Sequence, residues 1–370
     1  MTANYITGFI NTNVGQIPQV ATRLSRSDYL GTMMVRWSIN RNNYSVKPGL
    51  YAIGNPDVGS DVFVSANYKL SFDHLRKNLD GLNAWILVID TKGINVWCAA
   101  GKGTFGTNEL VFRIKETSLD KIVNHRRVIV PQLGAVGVSA HIVKEETGNP
   151  VRLAVQSTGS VFNPGTISFS GTEIRSNQGF SVKYGPVRAA DIKDFIAAGY
   201  KTTAEMRRVN FTFMDRLILI PVELVMSIKY LLAAFIIVFI LSAVNKNGIN
   251  YEAGFFSLVL MACGYISGAG LTPVLLPWIP FRSFALKGFF VGLISTSMLL
   301  LSNFTSDNWY MILAWLLINT GTSSFLAMNF TGASTYTSLS GVKQEMKIAV
   351  PLQILFVLAG LIIMIILKFV

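Results

Sequence analysis

Cysteine and histidine are scarce in this chain of 370 residues. The two cysteines, Cys98 and Cys263, lie far apart, and the second falls inside a long apolar run, so one chain cannot assemble a disulfide framework, a zinc set or an iron–sulfur cluster. The three histidines occupy no metal-ligand spacing and indicate no Ser-His-Asp or Cys-His nucleophile set: His74, His125 and His141. Any redox cluster must therefore come from a partner.

Acidic residues are also few, 20 against 32 lysines and arginines, which gives a formal net charge of +12. The basic residues are scattered singly except at Arg126-Arg127 and Arg207-Arg208, a pattern that does not favour nucleic acid. An anionic ligand or an anionic membrane surface accounts for the excess equally well. Arg207, Arg208 and Arg216 lie just before the first hydrophobic stretch, where such a surface would be.

The charges are distributed unevenly along the chain. Residues 1 to 216 hold 25 of the 32 basic and 16 of the 20 acidic side chains, which leaves 7 and 4 for residues 217 to 370. This shift predicts three parts: an N-terminal extension over 1–45, an α/β domain over 46–210 and a transmembrane domain over 211–370. The middle part is large enough to bury a core without disulfides or metals.

Five stretches are apolar enough, and long enough, to cross a hydrocarbon core of roughly 30 Å. The first forty residues show no apolar core flanked by basic residues, so we expect no secretory signal and place the first domain in the cytoplasm, with the chain multi-pass in the inner (cytoplasmic) membrane. The inward loops then carry more positive charge than the outward ones. The expected spans lie near 219–244, 252–274, 284–303, 308–330 and 347–369.

Two charged residues, Glu223 and Lys229, fall inside the first span, and an intramembrane charge is a candidate for transport. Both lie near its cytoplasmic end, where long side chains can reach the interface or pair, so we favour a structural role. Small residues in the second and fourth spans predict close helix packing.

From about residue 60, apolar runs rich in β-branched residues alternate with helical patterns. Strands are predicted at 61–65, 84–90 and 128–131, with a helix at 70–79 between the first two. Such continuous apolar strands are typical of a sheet that crossover helices bury on both faces. Ligands of open α/β sheets bind at the carboxyl ends of the strands, so the loop after 84–90 is the first place to look.

That loop contains four glycines and two alanines within residues 93–106. Small residues let backbone approach a large flat ligand, while Trp97 and Phe105 offer aromatic surface and Lys102 a positive charge. Its spacing matches neither the nucleotide P-loop nor the dinucleotide fingerprint. Cys98 lies where a short helix begins, a position that favours the metal-ligating thiolate, although a lone cysteine is more often an inert packed thiol.

The eight residues Asn95-Val96-Trp97-Cys98-Ala99-Ala100-Gly101-Lys102 resemble the motif of the HgcA family, the corrinoid proteins of microbial mercury methylation. The segments 64–70, 127–131 and 185–190 and the five apolar spans look like that family too. The resemblance implies a Rossmann-like corrinoid-binding domain, related to that of the corrinoid iron–sulfur protein of the acetyl-CoA pathway. The cofactor-binding residues that it implies are Asn95, Val96, Trp97, Cys98, Ala99, Ala100, Gly101, Lys102, Gly103 and Thr104.

The resemblance also implies a chemistry, with Cys98 as the catalytic residue and lower axial ligand of the corrinoid cobalt. A methyl group would pass from methylcobalt(III) to mercuric ion or its thiol complex, giving methylmercury. Because the methyl must leave with its bonding electrons, a thiolate that donates electron density to cobalt favours the transfer. The implied partners are a folate-dependent methyltransferase as methyl donor and a ferredoxin-like protein with two four-iron clusters (HgcB type), since this chain has no cluster of its own.

Two other functions stay open. The chain is also compatible with a corrinoid methyl carrier of the acetyl-CoA pathway type, although that relative lacks the cysteine in its comparable loop and carries its own cluster cysteines. The other open function is a membrane transporter or sensor with a cytoplasmic ligand domain. Asp73-His74 does not have the spacing of the Asp-x-His-x-x-Gly motif of His-ligated cobalamin proteins, and Lys102 or Arg188 could contact the amides or phosphate of a corrinoid.

Overall fold

A computed structural model describes residues 4–148, 178–245, 248–302, 308–330 and 339–368. The described chain divides into two compact units. The first comprises the residues up to Val35 together with Asn40–Arg208, and the second comprises Arg36–Ile39 and the residues from Val209 onward. Most of the described residues in the predicted extension 1–45 thus belong to the first unit.

The first unit is built on a seven-stranded sheet. Its spatial order is β1-β2-β3-β5-β4-β6-β7. The neighbours among β4 to β7 pair in parallel, whereas β3 runs antiparallel to β5 and β1 antiparallel to β2. The strands are β1 Ile6–Thr12, β2 Gly15–Val20, β3 Gly49–Ile53, β4 Val62–Ala66, β5 Ala84–Ile89, β6 Arg127–Val130 and β7 Ser181–Tyr184.

Seven α-helices accompany the sheet in the described part of this unit. They are α1 Arg26–Arg36, α2 Lys69–Asn78, α3 Val96–Lys102, α4 Thr107–Glu116, α5 Leu119–Ile122, α6 Ala140–Thr147 and α7 Ile192–Ala197, with 3₁₀ turns at Arg41–Asn43, Gln132–Gly134 and Ala189–Asp191. The predicted strands at 61–65, 84–90 and 128–131 and the helix at 70–79 are confirmed within one or two residues at each end.

The two central strands are apolar on both sides because both sides are covered. Every residue of β4 and β5 is buried. Successive side chains of a strand point to opposite faces, so Val64 and Leu87 join the core on one face, while Phe63 and Ile86 join the core on the other. The structure confirms the predicted sheet with a core on each face.

The order of the parallel strands creates a crevice. In chain order the four strands are β4, β5, β6 and β7, and in space β5-β4-β6-β7, which is the doubly wound order 2-1-3-4. Strand β5 lies on one side of β4, and β6, which follows β5 in the chain, lies on the opposite side of β4. Connections that diverge from two neighbouring strands open a gap at their carboxyl ends, where open α/β sheets bind ligands.

The second unit is helical apart from a short β8–β9 hairpin. Its elements are α8 Phe213–Ala243, β8 Val244–Asn245, β9 Gly248–Ile249, α9 Tyr251–Ile266, a π-helical turn Ser267–Leu271, α10 Thr272–Leu275, α11 Phe284–Leu301, α12 Trp309–Asn329 and α13 Leu339–Ile366. In this described part, five helical segments are long and apolar enough to cross a membrane. All five overlap the predicted spans.

The first of these helices begins before the apolar run does. The Thr212 side chain and Asp215 form a reciprocal capping box, which satisfies backbone N–H groups at the start of α8. Glycines let the helices approach closely, as predicted: a Cβ on Gly264 would lie 2.5 Å from the Asn319 side chain, and one on Gly292 would lie 2.6 Å from that of Ser323.

Candidate functional site

A cavity of about 530 Å³ lies at the carboxyl edge of the sheet, beside the gap between β4 and β6. Its wall is mainly apolar and carries a few polar groups. Its lining residues are Phe63, Val64, Ser65, Tyr68, Leu70, Ser71, His74, Leu75, Asn78, Asn95, Val96, Trp97, Ile129, Pro131, Leu133, Gly185, Pro186, Val187, Arg188, Ala189, Ala190 and Ile192.

Four segments that are distant in sequence meet in this cavity. They are the exit of β4 with the start of α2, the start of α3, the end of β6, and the turn after β7 over 185–190. These are the same segments that carried the family resemblance, and nothing in their order along the chain required them to share one wall. The strand order explains why they do, because all four follow parallel strands at one edge.

The predicted short helix after β5 is confirmed as α3, and its first turn is capped from within the motif. The Asn95 side-chain oxygen accepts a hydrogen bond from the Cys98 backbone N–H at 2.9 Å. A side-chain acceptor at this position satisfies one of the free N–H groups of a helix start. Asn95 and Trp97 line the cavity, and Cys98, the next residue, is exposed to solvent.

The loop that leads into α3 is held by Asn67, a residue that sequence reasoning did not single out. Its buried side-chain oxygen accepts hydrogen bonds from the Thr91 and Gly93 backbone N–H groups, each at 3.0 Å. Its amide donates to Asp90 Oδ1 at 3.0 Å. One side chain at the end of β4 thereby fixes the loop after β5, and with it the position at which α3 begins.

Two motif residues and one neighbouring aromatic are buried in the core of the first unit. Ala99 and Ala100 are buried in the core, and Phe105, expected to offer aromatic surface, is fully buried beneath Gly134 and Gly137. A Cβ on Gly134 would lie 2.4 Å from the Phe105 ring. The small size of Ala99, Ala100 and Gly134 allows α3 to pack closely against the segment after β6, and the burial of Phe105 corrects the expectation that its ring offers surface to a ligand.

The remaining motif residues lie on or near the outer end of α3. Gly101 and Lys102 are exposed, and Gly103 ends the helix with a φ of 79°, a left-handed conformation that favours glycine. The Thr104 hydroxyl donates to the Ala99 carbonyl at 3.4 Å. A Cβ on Gly101 would meet no atom within 4 Å, so the surface next to Cys98 is open.

Sequence analysis missed the α2 side of the cavity. Ser71, His74, Leu75 and Asn78 line it from successive turns of that helix. Their spacing of three and four residues puts them on one helical face, a pattern visible in the sequence. The pattern did not point to this wall of the cavity because His74 was considered only for a metal-ligand role.

An ion-pair cluster holds α2 in place. Lys69 Nζ lies 2.5 Å from Asp28 and 2.6 Å from Asp73, and Arg76 lies 2.8 Å and 2.7 Å from the same two carboxylates. Burial alone would raise the pKa of the Asp28 carboxyl, but hydrogen bonds from Lys69 and Ser25 hold that pKa well below its ordinary value. Burial alone would lower the pKa of Lys69, and its carboxylate partners raise it instead.

The described residues contain no group of three or more histidine, cysteine or acidic side chains that could hold a metal ion. Cys98 and Cys263 belong to different units, since Cys263 lies on α9.

Comparisons with known proteins point to one enzyme system. The family described as CdhD, CO dehydrogenase/acetyl-CoA synthase delta subunit, matches residues 26–163. The chain is 30% identical over 135 residues to the acetyl-CoA decarbonylase/synthase complex subunit gamma of Archaeoglobus fulgidus, covering 35% of this chain and 28% of the relative. The gamma subunit of Methanopyrus kandleri is 32% identical over 120 residues, which is 32% of this chain and 26% of the relative.

These matches concern part of each protein. The chain spans about a quarter of the length of the curated relatives it matches. The family match begins at α1 and includes β3 to β6 and the whole Asn95–Lys102 motif, but it ends before β7 and before the second unit. Part of the first unit, residues 26–163, is thus similar to the CO dehydrogenase/acetyl-CoA synthase delta subunit family.

Proposed function

We propose that this chain is a membrane-attached corrinoid protein that carries a methyl group between a donor and an acceptor. The observation that supports it most is the cavity at the strand-order switch, lined by Asn95, Val96 and Trp97, with the next residue, Cys98, exposed to solvent. The family match over residues 26–163 includes the motif Asn95–Lys102 and the parts of the cavity wall that follow β4, β5 and β6.

The residues present suit a corrinoid, which is a broad macrocycle around cobalt with amide-bearing arms and a phosphate-bearing tail. Cys98 offers a soft sulfur donor in the open. The face of α3 around Gly101 is clear of side chains, and the cavity wall combines apolar surface with the cationic Arg188. When bound, the group would supply a metal-held methyl that can be transferred.

The roles of the chain's own residues follow from their positions. Asn95 fixes the first turn of α3 and with it the backbone of Cys98. Asn67 fixes the loop before it. Trp97 contributes aromatic surface to the cavity wall, and Arg188 contributes positive charge for an anionic tail.

A methyl carrier of the acetyl-CoA pathway type is the function that the comparisons favour, because both the family and the relatives belong to that system. In that role the acceptor would be another enzyme, and the methyl donor would be a folate-dependent methyltransferase. Electrons to keep the cofactor active would come from a ferredoxin-like partner with two four-iron clusters.

Mercuric ion is the second candidate acceptor, and Cys98 is the observation that favours it. Mercury is an electrophile, so the methyl must leave with its bonding electrons, and a thiolate that donates electron density to the metal assists that step. An exposed cysteine in a loop that resembles the mercury-methylating family gives this chain a sulfur that could serve as such a donor. Membrane attachment in the inner membrane, with the first unit in the cytoplasm, would suit either acceptor.

The test is methyl transfer by purified full-length protein in lipid nanodiscs, loaded with methylcobalamin. If the methyl group is transferred to an acetyl-CoA synthase and this transfer persists in Cys98→Ala, the carrier function is supported. If the methyl group is transferred to mercuric thiolates and this transfer is lost in Cys98→Ala but kept in Cys263→Ala, the mercury function is supported. A protein that stays colourless with cobalamin contradicts both and favours a transporter or sensor.

A further inference from the structure

Helix α1 buries an aspartate on its inner side and exposes an apolar face, unlike an ordinary surface helix. Asp28 and Val35, seven residues apart, are buried at 4% and 2% exposure and face the first unit. On the opposite side Tyr29, Leu30 and Met33 are between 44% and 57% exposed, and Met34 extends the same apolar face.

The orientation of α1 is fixed by the ion-pair cluster on its inner side. The Asp28 carboxylate accepts hydrogen bonds from both Lys69 and Arg76 of α2. Arg76 also donates to the carbonyls of Ala21 and Arg23, just before the helix. Gly31 lies against Tyr44 so closely that a Cβ there would be 2.6 Å from the phenol oxygen. Rotating the helix to bury its apolar side would break these buried ion pairs, which is costly.

The charge around this outward face has one sign. Between residues 21 and 45 the sequence has four arginines, Arg23, Arg26, Arg36 and Arg41, and a single acidic residue, Asp28. Since Asp28 is buried and paired, the exposed charge of the segment is entirely positive, with Arg23, Arg26 and Arg41 exposed.

We propose that α1 docks the first unit on an anionic lipid surface, with Leu30 and Met33 inserted among the lipid headgroups. An exposed apolar helix face flanked by arginines has the chemistry of interfacial helices that bind anionic membranes. A lipid surface fits better than an acidic protein groove because this chain also carries five helices able to cross a membrane. The proposal rests on that membrane location and is independent of the cofactor.

Bromine-labelled lipids test the contact. The full-length protein is reconstituted in nanodiscs, and Cys98→Ala and Cys263→Ala remove its native thiols. A bimane label is then attached to the cysteine introduced by Met33→Cys. Phe112→Cys on α4, an exposed apolar position of the same unit, is the matched control, and Leu358→Cys on α13 reports on the bilayer itself. Each is compared in phosphatidylglycerol and in phosphatidylcholine.

We expect shallow bromolipids to quench the label at Met33 about twofold or more over that at Phe112 in phosphatidylglycerol, because the helix lies in the interface. Arg23→Gln with Arg26→Gln should reduce this quenching to the phosphatidylcholine level. The proposal is overturned if the Leu358 label is quenched but the Met33 label is quenched no more than the Phe112 label. A Met33 label that protein shields from the lipid overturns it as well. An unquenched Leu358 refutes the membrane location instead.

Discussion

The side-chain oxygen of Asn95 accepts a hydrogen bond from the backbone N–H of Cys98 at 2.9 Å. This bond connects two residues of the motif with separate tasks: Asn95 fixes the start of a helix, and Cys98 exposes a thiol to solvent. It makes the position of Cys98 depend on Asn95 even though only Cys98 is proposed to contact the metal.

Removing this cap should loosen α3. We expect Asn95→Ala to cost about 1 kcal/mol and to speed hydrogen exchange of the α3 amides about fivefold, while Asn95→Ser retains the cap and the slow exchange. Hydrogen exchange measured by mass spectrometry checks this, with Asn108→Ala as control at an exposed asparagine of α4. Equal exchange in Asn95→Ala and Asn108→Ala would show that the cap contributes nothing.

The close contact between Gly134 and Phe105 should make Gly134 intolerant of a methyl group. Gly134→Ala places a Cβ 2.4 Å from the ring and should destabilise the first unit by about 1 to 3 kcal/mol through overpacking. Gly101→Ala meets open space and should be neutral or slightly stabilising. Hydrogen exchange of the β4 and β5 amides compares the two, and similar protection in both variants would argue against the packing described.

The Asp28 cluster should make the first unit sensitive to acid. Because the pKa of Asp28 in the folded state lies below its unfolded value of about 3.9, its stabilising contribution is complete above about pH 4 and is lost as the pH falls through the folded pKa. We expect protection of β4 and β5 amides to fall below pH 4 in the wild type.

Asp28→Asn should lower protection at neutral pH by about 3 to 5 kcal/mol, since it leaves Lys69 and Arg76 with one buried carboxylate fewer. It should also flatten the acid dependence. An unchanged acid profile in Asp28→Asn would assign the transition to other carboxylates.

Arg188 should contribute to cofactor affinity through charge. Arg188→Gln should weaken cobalamin binding about tenfold or more, because it removes a hydrogen bond to a charged group. The difference in affinity between this variant and the wild type should shrink at high salt. Lys193→Gln removes an exposed charge nearby that does not line the cavity, so its dissociation constant should match the wild type. Equal dissociation constants for both variants would remove Arg188 from the site.

Strands β4 and β5 show what sequence alone can predict. Both are continuous apolar runs with cores on both faces, so hydrophobicity and length located them within a residue or two. A short helix was also predicted to begin at Cys98, and the structure begins it two residues earlier, at Val96, after the capping residue Asn95. The five apolar helices were found for the same reason, although α8 begins earlier, at a polar capping box.

The features that were missed depend on long-range contacts. Strands β1 and β2 carry many polar residues at a sheet edge and have little apolar periodicity, so the first 45 residues gave no strand pattern. Phe105 was expected to be exposed, and this was wrong because its burial depends on Gly134, about thirty residues away. The role of Asn67 required knowing that the loops after β4 and β5 are neighbours.

The central claim is that the cavity at the strand-order switch binds a corrinoid. Its most direct test is a spectroscopic titration of the full-length protein with cobalamin, comparing Ala190→Trp, which adds a bulky ring to the cavity wall, with Ala198→Trp at an exposed alanine outside it. The account predicts tight binding by wild type and Ala198→Trp, at least about tenfold weaker binding by Ala190→Trp, and an altered visible spectrum in Cys98→Ala. No binding by the wild type, or equal binding by both tryptophan variants, would contradict it.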